Sequence, residues 1–220
     1  MLIGLALLSS WGAAQLHGIF GSRAAIARFR AAEVASSPSN YQTTAGIVDF
    51  RLWSPTRISA YRESLAKEAA GPQAILRIAR INLEAPVFDG TDDLTLNRGV
   101  GRIIGTARFG QSGNIGIAGH RDGFFRGLQN VTKGDVVELE RPGMTFRYVV
   151  SQIDVVTPQD TEVLNPTATP TVTLVTCFPF YFVGSAPKRF VVRAILEEQR
   201  QSHIDRNNDS DNTRDRGGKK

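Results

Sequence analysis

One cysteine and three histidines carry most of the nucleophilic and proton-transfer capacity of this chain, and their positions leave one workable pairing. His17 sits inside an apolar run and His203 inside a polar tail, so only His120 falls where a folded core can hold it. If the protein does Cys–His chemistry, the pair is Cys177 and His120. Each follows a short β-rich run: NIGIAG (114–119) precedes His120, and TVTLVT (171–176) precedes Cys177. Two strand ends at one rim of a barrel can bring side chains together across a long gap in sequence. A third group follows if 171–177 and 189–196 are adjacent antiparallel strands, because the connection 178–188 then returns Arg189 near the level of Cys177. A fixed cation there can stabilise a thiolate and hydrogen-bond the oxyanion of a tetrahedral intermediate. Taken singly, each residue has a plainer reading. A lone cysteine in a strand is a small hydrophobe, a histidine after glycine is a cap, and an arginine at a strand start is a surface charge. Only the combination, with the residues around it, raises the case for chemistry.

The elements that must position these residues are mostly strands. ILRIARINLEAPVF (75–88) is β-branched and short in period, with room for two strands. DVVELE (135–140) and TFRYVVSQIDVV (145–156) flank Arg141-Pro142-Gly143, which reads as a hairpin turn. With 114–119, 171–177 and 189–196 they make a chain of many short strands. The one confident helix runs from about 55 to 70: Ser54 caps it, Pro55 suits its first turn, Ile58, Tyr61 and Leu65 keep helical spacing, and Gly71-Pro72 stops it. Strands in this proportion predict a mainly β fold, a closed or nearly closed barrel.

The residues around the three candidates resemble a known family. NIGIAGHRDGFFRGL (114–128) is similar to the histidine segment of sortases, and TLVTCFPFYFVGSAPKRFVVRA (173–194) is similar to their TLxTC motif and the arginine strand after it. The flavour is class D, and the resemblance covers roughly residues 75–196. It implies an eight-stranded sortase-type barrel with short helices and the site at one rim. It also implies roles: Cys177 as nucleophile, His120 as general acid/base, and Arg189 as the oxyanion and substrate-positioning group. The substrate would be a peptide or protein carrying an LPxTG-like C-terminal sorting signal. The acceptor would be an amine of the cell envelope or of another protein. Asp122, two residues past His120, could orient it or point to solvent, and stands outside the expected site. The aromatic stretch FPFYFVGSAP (178–187) either lines the substrate groove or packs on its own barrel.

Two rival classes are weighed against this. An L,D-transpeptidase would need serine, histidine and glycine just before the cysteine and an arginine two residues after it. Val175-Thr176 and Pro179 occupy those places. A non-catalytic envelope module on a sortase-like barrel would lack one of the three residues, and all are present. A cysteine hydrolase differs only in whether water or an amine takes the acyl group.

Composition bounds the rest. Lys and Arg exceed Asp and Glu by 26 to 21, but no basic run is interleaved with aromatics, so no nucleic-acid partner is expected. The single cysteine excludes an intrachain disulfide and a thiolate zinc cluster. No acidic cluster has calcium-ligand spacing, so neither metal nor cofactor is expected. Met1–Ser22 holds no charged side chain and is long enough to span a bilayer as an apolar helix, for which ~20 residues suffice. No basic n-region precedes it, which suggests a missing front. Arg23, Arg28 and Arg30 follow it, where the positive-inside rule would keep them cytoplasmic. The expected layout is an anchor or uncleaved signal (1–22), a linker and helix (23–71), the catalytic barrel (72–198) and a disordered polar tail (199–220). The expected location is the cell membrane, single-pass, with the catalytic domain on the extracytoplasmic side.

Overall fold

In the computed structural model, Ile26 and residues 48–67, 70–181 and 184–201 are described. The apolar run 1–22 and most of the tail lie outside them. Among the described residues no helix is long and apolar enough to cross a membrane.

Eight strands close into one barrel. β1 (Ala74–Ile78) and β2 (Leu83–Asp89) divide the run 75–88, and a 3-10 turn at Ala79–Ile81 joins them. Asn82 completes that turn at φ 50°, a left-handed conformation that asparagine tolerates better than most residues. β3 (Val100–Arg102) is parallel to β2, and β4 (Asn114–Ala118) is antiparallel to β3. β5 (Val136–Arg141) and β6 (Met144–Val156) form the hairpin expected around Pro142-Gly143. Gly143 has φ 72°, which suits the position after proline in a type II turn. β7 (Thr171–Phe178) and β8 (Lys188–Gln201) follow. The order around the barrel is β1-β2-β3-β4-β7-β8-β6-β5, and pairing of Ile75–Arg77 with Glu138–Glu140 closes it.

Alternation along the strands fills the interior. Leu76, Ile78, Val87, Ile117, Leu139, Leu174 and Val192 all point into one core and are fully or almost fully buried. β8 continues to Gln201, pairing Gln199–Gln201 with Met144–Phe146 of β6, so the first three residues assigned to the polar tail belong to the barrel. Backbone pairing holds a polar strand end that side-chain composition alone would leave free.

Among the described residues, two α-helical runs decorate the barrel. α1 (Pro55–Leu65) begins where expected: the Ser54 side chain accepts the Arg57 amide. It ends well before Gly71, because its last turn tightens. The Ala66 amide donates to the Glu63 carbonyl at 3.3 Å and that of Lys67 to Ser64 at 3.1 Å. α2 (Asp93–Arg98), not anticipated from the sequence, bridges β2 to its parallel neighbour β3. Its signal was present in Asp92, whose carboxylate accepts from the Thr95 amide at 3.0 Å as an N-cap.

Candidate active site

β4 and β7 run parallel and side by side, with Ala118 opposite Val175. Their C-terminal ends therefore emerge at one rim. The Gly119 amide donates to the Val175 carbonyl at 3.2 Å, and the Thr176 hydroxyl donates to the Gly119 carbonyl at 2.8 Å. Those two bonds lock the residue before His120 to the residues before Cys177. Gly119 leaves room for the Phe125 ring, which a Cβ there would approach to 2.7 Å.

β7 and β8 are antiparallel, and Cys177 stands directly opposite Arg189. Opposed residues on antiparallel strands share a face. Val172 and Leu174 point into the core, so Thr173, Val175 and Cys177 face outward. Gly116 and Ala118 are the outward positions of β4. Gly116 lies beneath Leu164, Thr106 and Ile103, which a Cβ there would meet at 2.9–3.2 Å. Exposure rises along this outer face: Asn114, Gly116 and Thr173 are buried, whereas Ala118, Val175 and Cys177 are half-buried. His120 and Arg189 are half-buried too, so each of the three candidates is partly exposed to solvent. Arg189 turns its guanidinium onto its own loop, donating to the Ala186 and Lys188 carbonyls at 3.2 and 3.0 Å.

Burial, and after it the positive charge of Arg57, push the His120 imidazole down to about 4, while Asp122 and Asp93 pull the other way. At neutral pH the ring is therefore uncharged. Asp122 does not dangle in solvent. It accepts from the Ser54 hydroxyl at 2.8 Å and from Arg57 Nε at 3.1 Å. Burial alone would raise its carboxyl, but these hydrogen bonds and the Arg57 charge outweigh it, and the group stays below its ordinary value. Arg57 also donates to the Asn97 side chain on α2. Sequence reasoning missed Ser54 and Arg57 here, since nothing in a helix start announces which distant turn it will touch.

The β7–β8 connection is held down from the histidine side. Arg121 donates to the Pro179 and Gly184 carbonyls at 3.1 and 2.9 Å. Arg126 donates to the Phe180 carbonyl and stacks 3.9 Å over the Tyr181 ring. Phe178 and Phe180 pack with Phe190 of β8, their ring centroids 5.2–6.2 Å apart, and Phe180 is buried. Of the two readings of this stretch, packing on the barrel describes those phenylalanines, and Tyr181 faces out at 73% exposure. Among the described residues no group of three or more His, Cys, Asp or Glu could hold a metal ion.

The eight-stranded barrel carries Cys177, His120 and Arg189 at or just beyond the ends of three neighbouring strands, and these are residue types that cysteine acyl transfer can use. The sortase domain family matches residues 76–197, more than half of the chain, and the protein belongs to that family of cysteine transpeptidases. It is 33% identical over 132 residues to Sortase D of Bacillus subtilis, a match covering 60% of this chain and 67% of that protein. Among solved structures it is similar to the Sortase D5 transpeptidase of Clostridium perfringens at 26% identity and a TM-score of 0.54, covering 68% of this chain and 91% of that one. It is also similar to sortase C-1 of Actinomyces oris at 30% identity and a TM-score of 0.54, covering 79% of this chain and 98% of that one. The match to Sortase A of Streptococcus agalactiae spans about half of that protein, 52% of its length.

Proposed function

We propose that this chain is a membrane-anchored sortase that cleaves an LPxTG-like C-terminal sorting signal and passes the acyl group to an amine. The observation that carries the reading is the direct opposition of Cys177 and Arg189, with His120 at the end of the strand beside them. The outer face of β4 and β7 carries small residues, Gly116, Ala118, Thr173 and Val175, on the way to Cys177, which suits an extended peptide.

In this mechanism Cys177 loses its proton to the neutral His120 imidazole and its sulfur adds to the carbonyl carbon of the scissile peptide bond. Arg189 swings from its loop carbonyls to hydrogen-bond the resulting oxyanion. As the intermediate collapses, the C–N bond breaks and His120 returns its proton to the departing amine. The thioester on Cys177 then meets the acceptor amine. His120 takes a proton from that amine, the new amide forms, and Cys177 leaves as thiolate. Water is the default acceptor if no amine arrives, so slow hydrolysis accompanies transfer. The uncharged run Met1–Ser22 supports membrane attachment, and the catalytic domain would lie on the extracytoplasmic side.

The deciding experiment is intact-mass spectrometry of the full chain with an LPxTG-type peptide library, with and without triglycine. A thioacyl adduct that passes to triglycine, and is absent in Cys177→Ala, is the expected result. No adduct from any peptide would overturn the reading. Location is tested separately in intact cells. Cys177 is the only thiol, so labelling by a membrane-impermeant maleimide supports the outward side, and labelling only after lysis rejects it.

A further inference from the structure

α1 packs on the turn that carries His120 through two independent sets of contacts. The first is aromatic. Trp53 lies 4.7 Å from Phe124 and 5.6 Å from Tyr61, and Tyr61 is fully buried. The second is polar and closer to the chemistry. Ser54 uses its amide on the Asp122 carbonyl at 3.3 Å and its hydroxyl on the Asp122 carboxylate at 2.8 Å. Arg57 pairs with the same carboxylate at 3.1 Å, its side chain only 19% exposed. Its aliphatic stem crosses Gly123, where a Cβ would sit 3.2 Å from Arg57 Cγ and 3.6 Å from the His120 Cβ. The Gly123 and Phe125 amides both donate to the His120 carbonyl, at 3.2 and 3.3 Å. The His120 turn is thus gripped from the α1 side at Asp122 and Gly123, and from the β7 side at Gly119.

We propose that Arg57 is a positioning residue for His120, acting through Asp122, so that α1 is part of the working site rather than a cover for the barrel. The catalytic half of this inference rests on the sortase reading above. The guanidinium fork suits the task, because one nitrogen holds Asp122 while another holds Asn97 of α2. The charged groups that act on the His120 ring are Arg57 of α1, Asp122 of its own turn and Asp93 of α2. Cys177 stands near the end of the neighbouring strand β7, and Arg189 of β8 turns to its own loop carbonyls.

The test uses the full chain in detergent, as wild type and as Arg57→Gln, Arg57→Lys and Asp122→Asn. Three quantities are measured: the NMR titration of the His120 ring (assigned by its loss in His120→Gln), kcat and KM separately for peptide cleavage, and the thermal midpoint. Arg57→Gln is expected to raise the titration midpoint of His120 and to lower kcat by about tenfold or more, with KM changed by less than about twofold. Asp122→Asn is expected to lower the midpoint. Arg57→Lys keeps the charge but loses the fork, so the midpoint returns toward wild type while kcat recovers only in part. An unmoved His120 midpoint in both Arg57→Gln and Asp122→Asn overturns the proposal. So does a kcat per folded molecule equal to wild type in a destabilised Arg57→Gln. If the midpoints move as stated but wild type forms no thioester, the positioning of His120 stands and the sortase reading falls.

Discussion

Cys177, His120 and Arg189 sit within 70 positions of sequence, yet each takes its environment from a different element. His120 shows what that does to a titration. In the unfolded chain its imidazole protonates below its ordinary 6.5, whereas the folded ring stays neutral until about 4. Between those values the unfolded state binds the extra proton, so stability falls as pH falls across that window and is unpenalised above it. Asp122 works in the same direction at lower pH: its depressed carboxyl contributes stability above 3.8 that is lost as the folded group protonates. Thermal midpoints measured from pH 7 to 4 should therefore decline in wild type. The decline should be shallower in His120→Gln, which has no proton to take up; equal slopes would show that His120 is not the group responsible. Arg189 permits a second test at this scale. Arg189→Lys keeps a cation but not the planar pair of donors. Arg189→Ala removes both, so thioester formation in single-turnover mass spectrometry should slow by roughly 100-fold in the alanine variant and by less in the lysine variant.

Strands and loops decide whether those residues meet. The register of β7 against β8 puts Cys177 opposite Arg189, and a slip of one residue would turn one of them into the core. The connection between these strands is fixed by Arg121 and Arg126, both from the segment just after His120. Replacing Arg121 by alanine removes two charge-assisted bonds to loop carbonyls. Amide exchange at Tyr181 and Gly184 should quicken in Arg121→Ala, while exchange in β4 and β7 stays near that of wild type. Uniform quickening across the barrel would mean the arginine supports the fold instead of the loop.

The whole barrel depends on a closure far from the site. β1 joins β2 on one side and β5 on the other, and Leu76 in its middle is fully buried. Leu76→Ala should cost about 2–5 kcal/mol in urea unfolding, while the thiol reactivity of Cys177 in the folded state stays unchanged. A change in Cys177 reactivity without loss of stability would show that the far seam reaches the site. Closure also leaves no open sheet edge along these strands.

Much of this was legible in the residues. The short-period, β-branched run 75–88 announced two strands, Pro142-Gly143 announced the hairpin, and Ser54-Pro55 announced the start of α1. Each is a local preference that neighbours in the chain can express alone. The candidate trio was legible by elimination and by return of the chain through the β7–β8 connection. β3 was not, because three residues are too few to show a period, and the early end of α1 was not, because a tightened last turn leaves no mark in composition. Residue types alone limit Cys–His chemistry to one pairing, since the chain has a lone cysteine and one histidine inside the strand-rich region. What holds that histidine is written only in the folded chain. Ser54 and Arg57 reach Asp122 across more than 60 residues, and side-chain contacts at that separation exist only once the barrel has closed.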